Sequence, residues 1–479
     1  MDTRIIKNYL YNVSYQILTI ILPFITTPYI SRVLSPEGVG IYSYTNSITQ
    51  YFILFGCIGL NLYGQREIAY YQQNKNKYSI VFFELVIIRI ITVSLSIIVF
   101  ISLAFLYERY TIVLLIQTIQ LIATMVDISW FFQGIEDFKK IVVRNFIVKI
   151  IGVCTIFLFV KTSNDLNVYI FIQSFVLFLG NFSMWIYVPK IIQKVKFYQL
   201  NISKHIGPAI LMFLPQIATS IYTVLDKTMI GLLTGSDAEV AFYEQAEKIT
   251  KIALTVVTSF GTVMLPRIAN IFQNKDYDKI YFYMNKTFDI FILIASPIMF
   301  GLMSIAPNFV PWFFGEGYEK VIPNMIIIAP IILIIGMSNV IGTQYLLPTR
   351  RQKEYTFSVC MGCLINVILN LSFIPFLLSY GAAIATLIAE TTVTTIQFIL
   401  VRKEFKFKNI VKRNIKYFAL SFLMFIIIYS MNYIGKQTII FTLFQIFLGI
   451  GFYFGILIII KDKIVYEFLY KIIFSKIKR

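Results

Sequence analysis

The chain has 479 residues, of which 58% are hydrophobic and 14% charged, with four cysteines and a formal net charge of +18. A soluble domain carries about a quarter charged residues, so this composition, with a mean hydropathy of +0.76, excludes a soluble enzyme and leaves the bilayer as solvent. The basic residues are spread over short loops rather than gathered in one patch with stacking aromatics, which argues against a nucleic-acid partner.

A spanning helix takes roughly 20 apolar residues at 1.5 Å rise each. On that measure the chain reads as an all-α polytopic membrane protein with about fourteen spans, at 9–33, 41–63, 80–106, 111–134, 142–160, 167–188, 207–234, 243–266, 285–305, 322–347, 356–377, 382–401, 415–434 and 439–460. With the N-terminus placed in the cytoplasm, Arg32, Arg109, Lys161, Lys320 and Lys436 fall in outer loops, and Arg89, Lys149, Lys227, Lys248 and Lys251 fall inside spans or at their rims. Every other Lys and Arg falls on the cytoplasmic side, and that bias predicts a multi-pass chain with both termini cytoplasmic. The 31 tyrosines and 45 phenylalanines, many near span ends, fit interfacial belts.

In chain order, Arg4 and Lys7 precede an apolar run with no small-residue cleavage site, which reads as a retained first helix rather than a signal peptide. Pro23 and Pro28 in the first span, and Pro208 and Pro215 in the seventh, each remove a backbone donor and are candidate hinges. Proline is also simply tolerated in membrane helices. A charge at mid-membrane costs on the order of 2.5–3.5 kcal/mol on insertion scales, so each one is kept facing a cavity or a partner. The candidates are Arg89 in span 3, Asp127 in span 4 and Lys149 in span 5, then Asp226 and Lys227 in span 7 with Glu244, Glu247, Lys248 and Lys251 opening span 8. Plainer readings stand beside them: Lys149 snorkels, Arg89 and Asp127 form a structural ion pair, Lys248 and Lys251 sit in water at the rim, and Arg66 and Arg267 anchor cytoplasmic span ends. Asp289 reads as a local pair with Lys286. Glu390, about eight residues into span 12 with no nearby base, suits an ion-coupling carboxyl, although Thr391, Thr392, Thr394 and Thr395 offer it hydroxyls.

The chain also repeats itself. LPFIT, GVGIYSYTNSI and Arg66 in the first two spans answer to LPQIA, EVAFYEQAEKI and Arg267 in the seventh and eighth, with Tyr42/Tyr243, Ile48/Ile249 and Arg66/Arg267 at one common offset. A duplication predicts an N-terminal six-helix bundle at 1–206, a C-terminal six-helix bundle at 207–410, and two additional helices with a basic cytoplasmic tail at 411–479. An even span count makes the repeats parallel, and such halves usually enclose the substrate site.

Several runs carry a family resemblance: LPFITTPYISRVLSPEGVGIYSYTNSITQYF, DISWFFQGIEDFKKIVVRN, LPQIATSIYTVLDKTMIG and YGAAIATLIAE. They resemble the Wzx-type polysaccharide flippases of the multidrug/oligosaccharidyl-lipid/polysaccharide exporter superfamily, over nearly the whole chain but weakly after about residue 400. The resemblance implies transfer of undecaprenyl-diphosphate-linked oligosaccharide repeat units across a bacterial cytoplasmic (inner) membrane, for capsule, exopolysaccharide or O-antigen synthesis. It also implies membrane lipids as surroundings and a polysaccharide polymerase and chain-length regulator as companions. The relatives include lipid II flippases and MATE-like drug/cation antiporters, which remain the alternatives.

A diphosphate headgroup crosses hydrocarbon only through a cationic, wet lumen, where Arg offers paired donors and Lys a point charge. The expectation is that Arg89, Lys149, Arg66, Arg267 and Lys227 meet the headgroup, with Asp127 orienting Arg89. Arg32, Glu37, Asp226, Glu247 and Lys248 then form an outer gate. No enzymatic activity is expected, since GxSxG, HExxH and P-loop patterns are missing; no cofactor or metal is expected either, the energy coming from a proton or sodium gradient. Cys360 and Cys363 read as packing residues, Cys57 and Cys154 as buried, and the lone His205 as unable to build a metal site. The loop PNFVPWFFGEGYEKVIP reads as an interfacial cap. A glycan polymerase or ligase would need a large outer loop with catalytic Arg or His, and this one has only Lys320.

Overall fold

The computed structural model describes residues 3–258 and 261–467, except for the side chains of 3–20, 197, 214–216, 218–222, 261–263, 265 and 266. Hydrocarbon offers no partner to a peptide group, so the apolar runs close their hydrogen bonds within themselves as helices. Among the described residues there is no strand.

The first helices are α1 (Thr3–Cys57), α2 (Leu60–Tyr70), α3 (Lys75–Leu106), α4 (Thr111–Met125), α5 (Ser129–Gly134), α6 (Phe138–Phe159), α7 (Leu166–Ser183) and the short α8 (Val188–Ile191). Then come α9 (Ser203–Thr234), α10 (Asp237–Thr258), α11 (Gly261–Gln273), α12 (Tyr277–Phe314), α13 (Val321–Ile328) and α14 (Ile331–Ile341). The last are α15 (Gln352–Leu377), α16 (Ser379–Leu400), α17 (Phe407–Ser430) and α18 (Ile439–Ile459). Among the described residues, 10 helices are long and apolar enough to cross a membrane, so the chain is an all-α polytopic membrane protein.

The first two expected spans lie on the two arms of α1, which breaks at Ser35 (φ 59°, ψ 172°). Ser35 precedes Pro36, whose ring disfavours the α conformation in the residue before it. A non-glycine residue at the positive φ of Ser35 costs on the order of 1–3 kcal/mol. The bend of α1 is therefore at Ser35–Pro36, while Pro23 and Pro28 sit within its N-terminal arm.

The chain forms two compact units, Met1–Ala241 and Phe242–Arg479. The sequence repeat places a boundary at 206/207; the compact division falls after α9, which packs on α1 and α2 of the first unit. In that unit Trp130, Phe131 and Phe132 of α5 are buried against Phe82 of α3 and Trp185. A second cluster joins Ile30, Leu34 and Val39 of α1 to Ile156, Ile170 and Ala241. Between α1 and α4, Thr49 donates to Gln117 Oε1 at 2.7 Å and Gln117 donates to Thr45 at 3.0 Å, a polar join of the kind that holds membrane helices where burial gives no drive. In the second unit Met284, Phe288 and Ile292 of α12 pack into one core with Tyr417 and Met424 of α17 and Tyr453 of α18. The last two long helices are thus part of that unit's core.

Candidate functional site

Call the basic end of the first unit the one formed by the 57–75, 134–138 and 191–203 connections. Here Arg89 is 1% exposed. Its Nη2 donates to Asn61 Oδ1 on α2, and its Nη1 donates to the main-chain carbonyl of Asp127. The carboxylate of Asp127 turns the other way and accepts from Ser129 N–H at 2.9 Å. The sequence suggested a side-chain ion pair; what holds Arg89 is a carbonyl at the unwound end of α4, where helix ends leave such acceptors over. Arg89 Nε is a buried donor with no protein partner. Arg144 of α6 extends the network, donating from Nη1 to Ser129 Oγ and to Asn181 Oδ1, both at 3.1 Å. Lys149 is half-buried about a turn and a half further along α6. Arg66 pairs with Glu67 at 3.2 Å and lies over the rings of Tyr63 and Tyr70.

Beside this network lies a second cluster. The Glu84 side chain on α3 is fully buried, and its Oε2 lies 2.7 Å from His205 Nε2 and 2.9 Å from Lys204 Nζ. The Nδ1 of His205 lies 2.7 Å from the Tyr63 hydroxyl.

At the opposite end of the first unit, the α9–α10 turn meets α1 and α4. Asp237, with its side chain 2% exposed, accepts from Arg109 Nη2 at 2.5 Å and from the Tyr110 hydroxyl at 2.8 Å. Burial pushes the Asp237 carboxyl above its usual range, against the pull of the Tyr110 hydrogen bond and the Arg109 charge. Gly40 lies flush on this turn: a Cβ there would stand 1.8 Å from the Asp237 carbonyl oxygen. One helix over, Ser47 and Thr228 share a hydrogen bond at 2.8 Å. Of the expected gate residues, Arg32 and Glu37 are exposed on α1, with Ser35 Oγ donating to Glu37 at 3.2 Å. Asp226 is buried and Lys227 half-buried on α9.

In the second unit, Glu247 is buried and pairs with Lys251 one turn on at 2.6 Å, with Lys248 and Glu244 half-buried beside them. Arg267 is exposed, with its guanidinium 4.0 Å from the Tyr283 ring centroid and donating to its hydroxyl. Asp289 accepts from Arg413 at 2.6 Å and from Asn414 at 2.7 Å, so its partners come from α17 and not from Lys286, which instead faces Glu467 at 3.7 Å. Glu390 is half-buried on α16, within electrostatic reach of the Tyr355 phenol. An apolar cleft of about 380 Å³ lies among α12, α17 and α18, lined by Ile298, Leu302, Met424, Ile446 and Phe454. Pro208 is half-buried in α9, and Pro215 lies outside the residues whose side chains are described.

Among the described residues no group of three or more His, Cys, Asp and Glu is placed to hold a metal ion. What the first unit does hold is a buried guanidinium with one donor to spare, and carboxylates at both ends already engaged by bases. That arrangement suits an anionic guest better than a cationic one. Glu84, His205, Arg144, Arg109 and Asp237 were not among the expected site residues. Their partners are distant in sequence, and the one signal the sequence carries for them is Glu84, an ionisable residue inside a span, costly in hydrocarbon as Arg89 is.

A family model described as "Polysaccharide biosynthesis protein" matches residues 5–272. The "Putative O-antigen transporter" of Escherichia coli (strain K12) is 25% identical over 401 residues, covering 83% of this chain and 96% of that protein. The "Lipid II flippase MurJ" of Bacillus subtilis (strain 168) is 22% identical over 183 residues, 37% of this chain and 34% of that protein. Among solved structures, lipid II flippase MurJ in an inward closed conformation aligns with a TM-score of 0.73 at 18% identity, covering 98% of this chain and 100% of that one. An inward-facing multidrug resistance MATE family transporter of the MOP superfamily aligns with a TM-score of 0.61 at 12% identity, covering 85% and 96%. These two structures share the fold.

Proposed function

Because the chain belongs to the polysaccharide biosynthesis protein family, whose model matches residues 5–272, we propose that it is a flippase for undecaprenyl-diphosphate-linked oligosaccharides in a bacterial cytoplasmic membrane. The carrying observation is the correspondence with the O-antigen transporter over 96% of that protein's length. The geometry agrees: Arg89, buried and with Nε unpaired, is a donor held ready for a phosphate oxygen. The chain works by alternating access through a cationic lumen, with fourteen spans and both termini in the cytoplasm. Arg89, Lys149 and Lys227 meet the headgroup, and a proton or sodium gradient supplies the energy, with Glu390 as coupling group. The apolar cleft of the second unit has the lining to take a hydrocarbon chain. A polymerase and a chain-length regulator act on what it delivers.

Lipid II is the second reading, favoured by the 0.73 TM-score to MurJ; both substrates present a diphosphate, and the buried arginine does not read sugars. The test is depletion of the protein, followed by the leaflet location and amount of lipid-linked oligosaccharide and the surface polysaccharide. Repeat units retained on the cytoplasmic leaflet, with peptidoglycan synthesis intact, are the expected outcome. Accumulation of lipid II would transfer the assignment, and no change in either lipid would reject both and bring forward a drug/cation antiporter.

A further inference from the structure

The one histidine among the 479 residues is 1% exposed, and the groups against its ring are a carboxylate and a phenol. His205 stands in the first turn of α9. Its Nε2 is 2.7 Å from Glu84 Oε2 on α3, and its Nδ1 is 2.7 Å from the Tyr63 hydroxyl on α2. Glu84 accepts besides from the Asn201 main-chain N–H at 2.5 Å and from Lys204 at 2.9 Å. These bonds fasten the start of α9 where Gly59, at φ 72°, comes close enough for a Cβ to stand 2.7 Å from the Ala209 carbonyl oxygen.

The donors around Glu84 decide which member of the cluster titrates. An amide N–H and an ammonium both point at its oxygens, so a carboxyl proton would face other protons, and Glu84 is held as the acceptor-only carboxylate. Nε2 of His205 therefore carries hydrogen in either state, and the proton that comes and goes is the one on Nδ1. Nδ1 faces a hydroxyl, which both donates and accepts. With imidazole neutral, Tyr63 donates to Nδ1; with imidazolium, Nδ1–H donates to Tyr63. The exchange needs only a rotation of the hydroxyl hydrogen, so the site takes a proton without moving a heavy atom. The charges facing it are Lys204 from α9, Glu84 from α3, and Arg66 with Glu67 from α2, where Tyr71 lies close to Tyr63. Arg66 is countered by Glu67 at 3.2 Å. Lys204 is 44% exposed and shares its charge with water, leaving the field of the buried Glu84 carboxylate on the imidazole.

We propose that Glu84, His205 and Tyr63 form a proton-binding site that latches the N-terminal end of α9 to α2 and α3. The latch is tighter in the protonated state, because hydrogen bonds from a charged donor are roughly twice as strong as neutral ones. The role of this latch in a transport cycle rests on the flippase reading, but the site itself does not.

A single histidine makes the test direct. Histidine-selective ¹⁵N labelling of the full chain in nanodiscs, purified through a histidine-free tag, places every ring signal on His205. Between about pH 8 and pH 5, where imidazoles change charge, both ring nitrogens move to imidazolium positions, and Glu84→Gln suppresses that change. Over the same interval hydrogen exchange across 203–213, corrected for its intrinsic pH dependence, slows by about threefold or more, and Tyr63→Phe, which keeps the ring and removes the hydroxyl but leaves the Glu84 bond, reduces the difference. Wild-type ring nitrogens that stay unchanged, or exchange that follows the intrinsic rate alone, would overturn the site. If the site titrates while flipping shows no pH dependence, its place in the cycle is refuted. If it titrates and no lipid-linked oligosaccharide is moved, the flippase reading fails alone.

Discussion

Arg109 and Asp237 are bonded to each other, yet removing one is predicted to cost more than removing the other. Asp237 is 2% exposed and Arg109 is 61% exposed. In Asp237→Asn the arginine returns to water and the amide still accepts from Tyr110 at the position of the 2.8 Å bond. What is lost is close to a surface ion pair, about 0–1 kcal/mol. In Arg109→Ala the buried carboxylate keeps only Tyr110 and loses its counter-charge, which costs about 1–3 kcal/mol as an under-satisfied buried group. At roughly 2–4 °C per kcal/mol for a unit of this size, Arg109→Ala lowers Tm by several degrees and Asp237→Asn by little. The sign of the pH effect follows from burial, which raises the Asp237 carboxyl above its usual range. A raised acid favours the fold fully below its unfolded pKa of about 3.9 and loses that contribution as pH rises through its folded value. Arg109→Ala raises the folded value further, so its deficit against wild type widens from acid to neutral pH. Thermal unfolding in detergent, followed by tryptophan fluorescence between about pH 5 and pH 8, reads both effects. Equal losses in the two variants, or a deficit that does not change with pH, would refute the reasoning.

Gly40→Ala places a Cβ 1.8 Å from the Asp237 carbonyl oxygen; overpacking of this kind costs about 1–3 kcal/mol, and the variant should unfold at a lower temperature and combine non-additively with Arg109→Ala, whose contact it shares. Burial pushes Asp462 up, but Lys416, the Val465 N–H and Tyr417 outweigh it and hold the carboxyl below its usual range. Its stabilisation is therefore present above its unfolded pKa of about 3.9 and lost as pH falls through its folded value. Lys416→Ala should cost about 1 kcal/mol at pH 7, the lysine being 44% exposed, and that cost should shrink only in thermal melts taken below the unfolded pKa of about 3.9, as pH falls through the folded value. Glu390→Gln should abolish gradient-driven flipping while leaving exchange without a gradient intact, as measured in proteoliposomes under imposed proton and sodium gradients; unchanged driven transport would remove Glu390 from the coupling role.

The helices were legible because a bilayer demands long apolar runs, and the runs are long. The interruption between the first two spans, 34–40, was legible too, and the break at Ser35 falls within it, although the structure carries the helix on to Cys57 where the sequence suggests a loop. A loop and a break within a continuous helix share one signature, a proline that forces its neighbour out of the α region. The charges were legible one at a time and not in pairs. Arg89 stood out by its cost in hydrocarbon, but its acceptors are a main-chain carbonyl and Asn61, and a carbonyl leaves no mark in a sequence. His205 stands alone in the sequence because its partner, Glu84, is 121 residues away.

The Glu84–His205–Tyr63 and Arg109–Asp237 clusters bear on one helix. α9 is 32 residues long, about 48 Å at 1.5 Å per residue, and it is fastened to the first unit near both ends. The bonds near its start run through an imidazole, a phenol and a carboxylate, groups whose strength changes with the proton. Near its end they run through Arg109 and Asp237, the Ser47–Thr228 bond and the close approach of Gly40 to the following turn. An arginine stays charged at every physiological pH, and backbone packing has no charge to lose. A fall in pH from neutral strengthens the first fastening, whereas at the second it begins to protonate the raised Asp237 carboxyl and so weakens its pairing with Arg109, so one stimulus acts on the two ends unequally. A carrier that exposes its substrate to one face at a time needs ends that release separately. In α9 that separation is already present in the side chains, before any substrate binds.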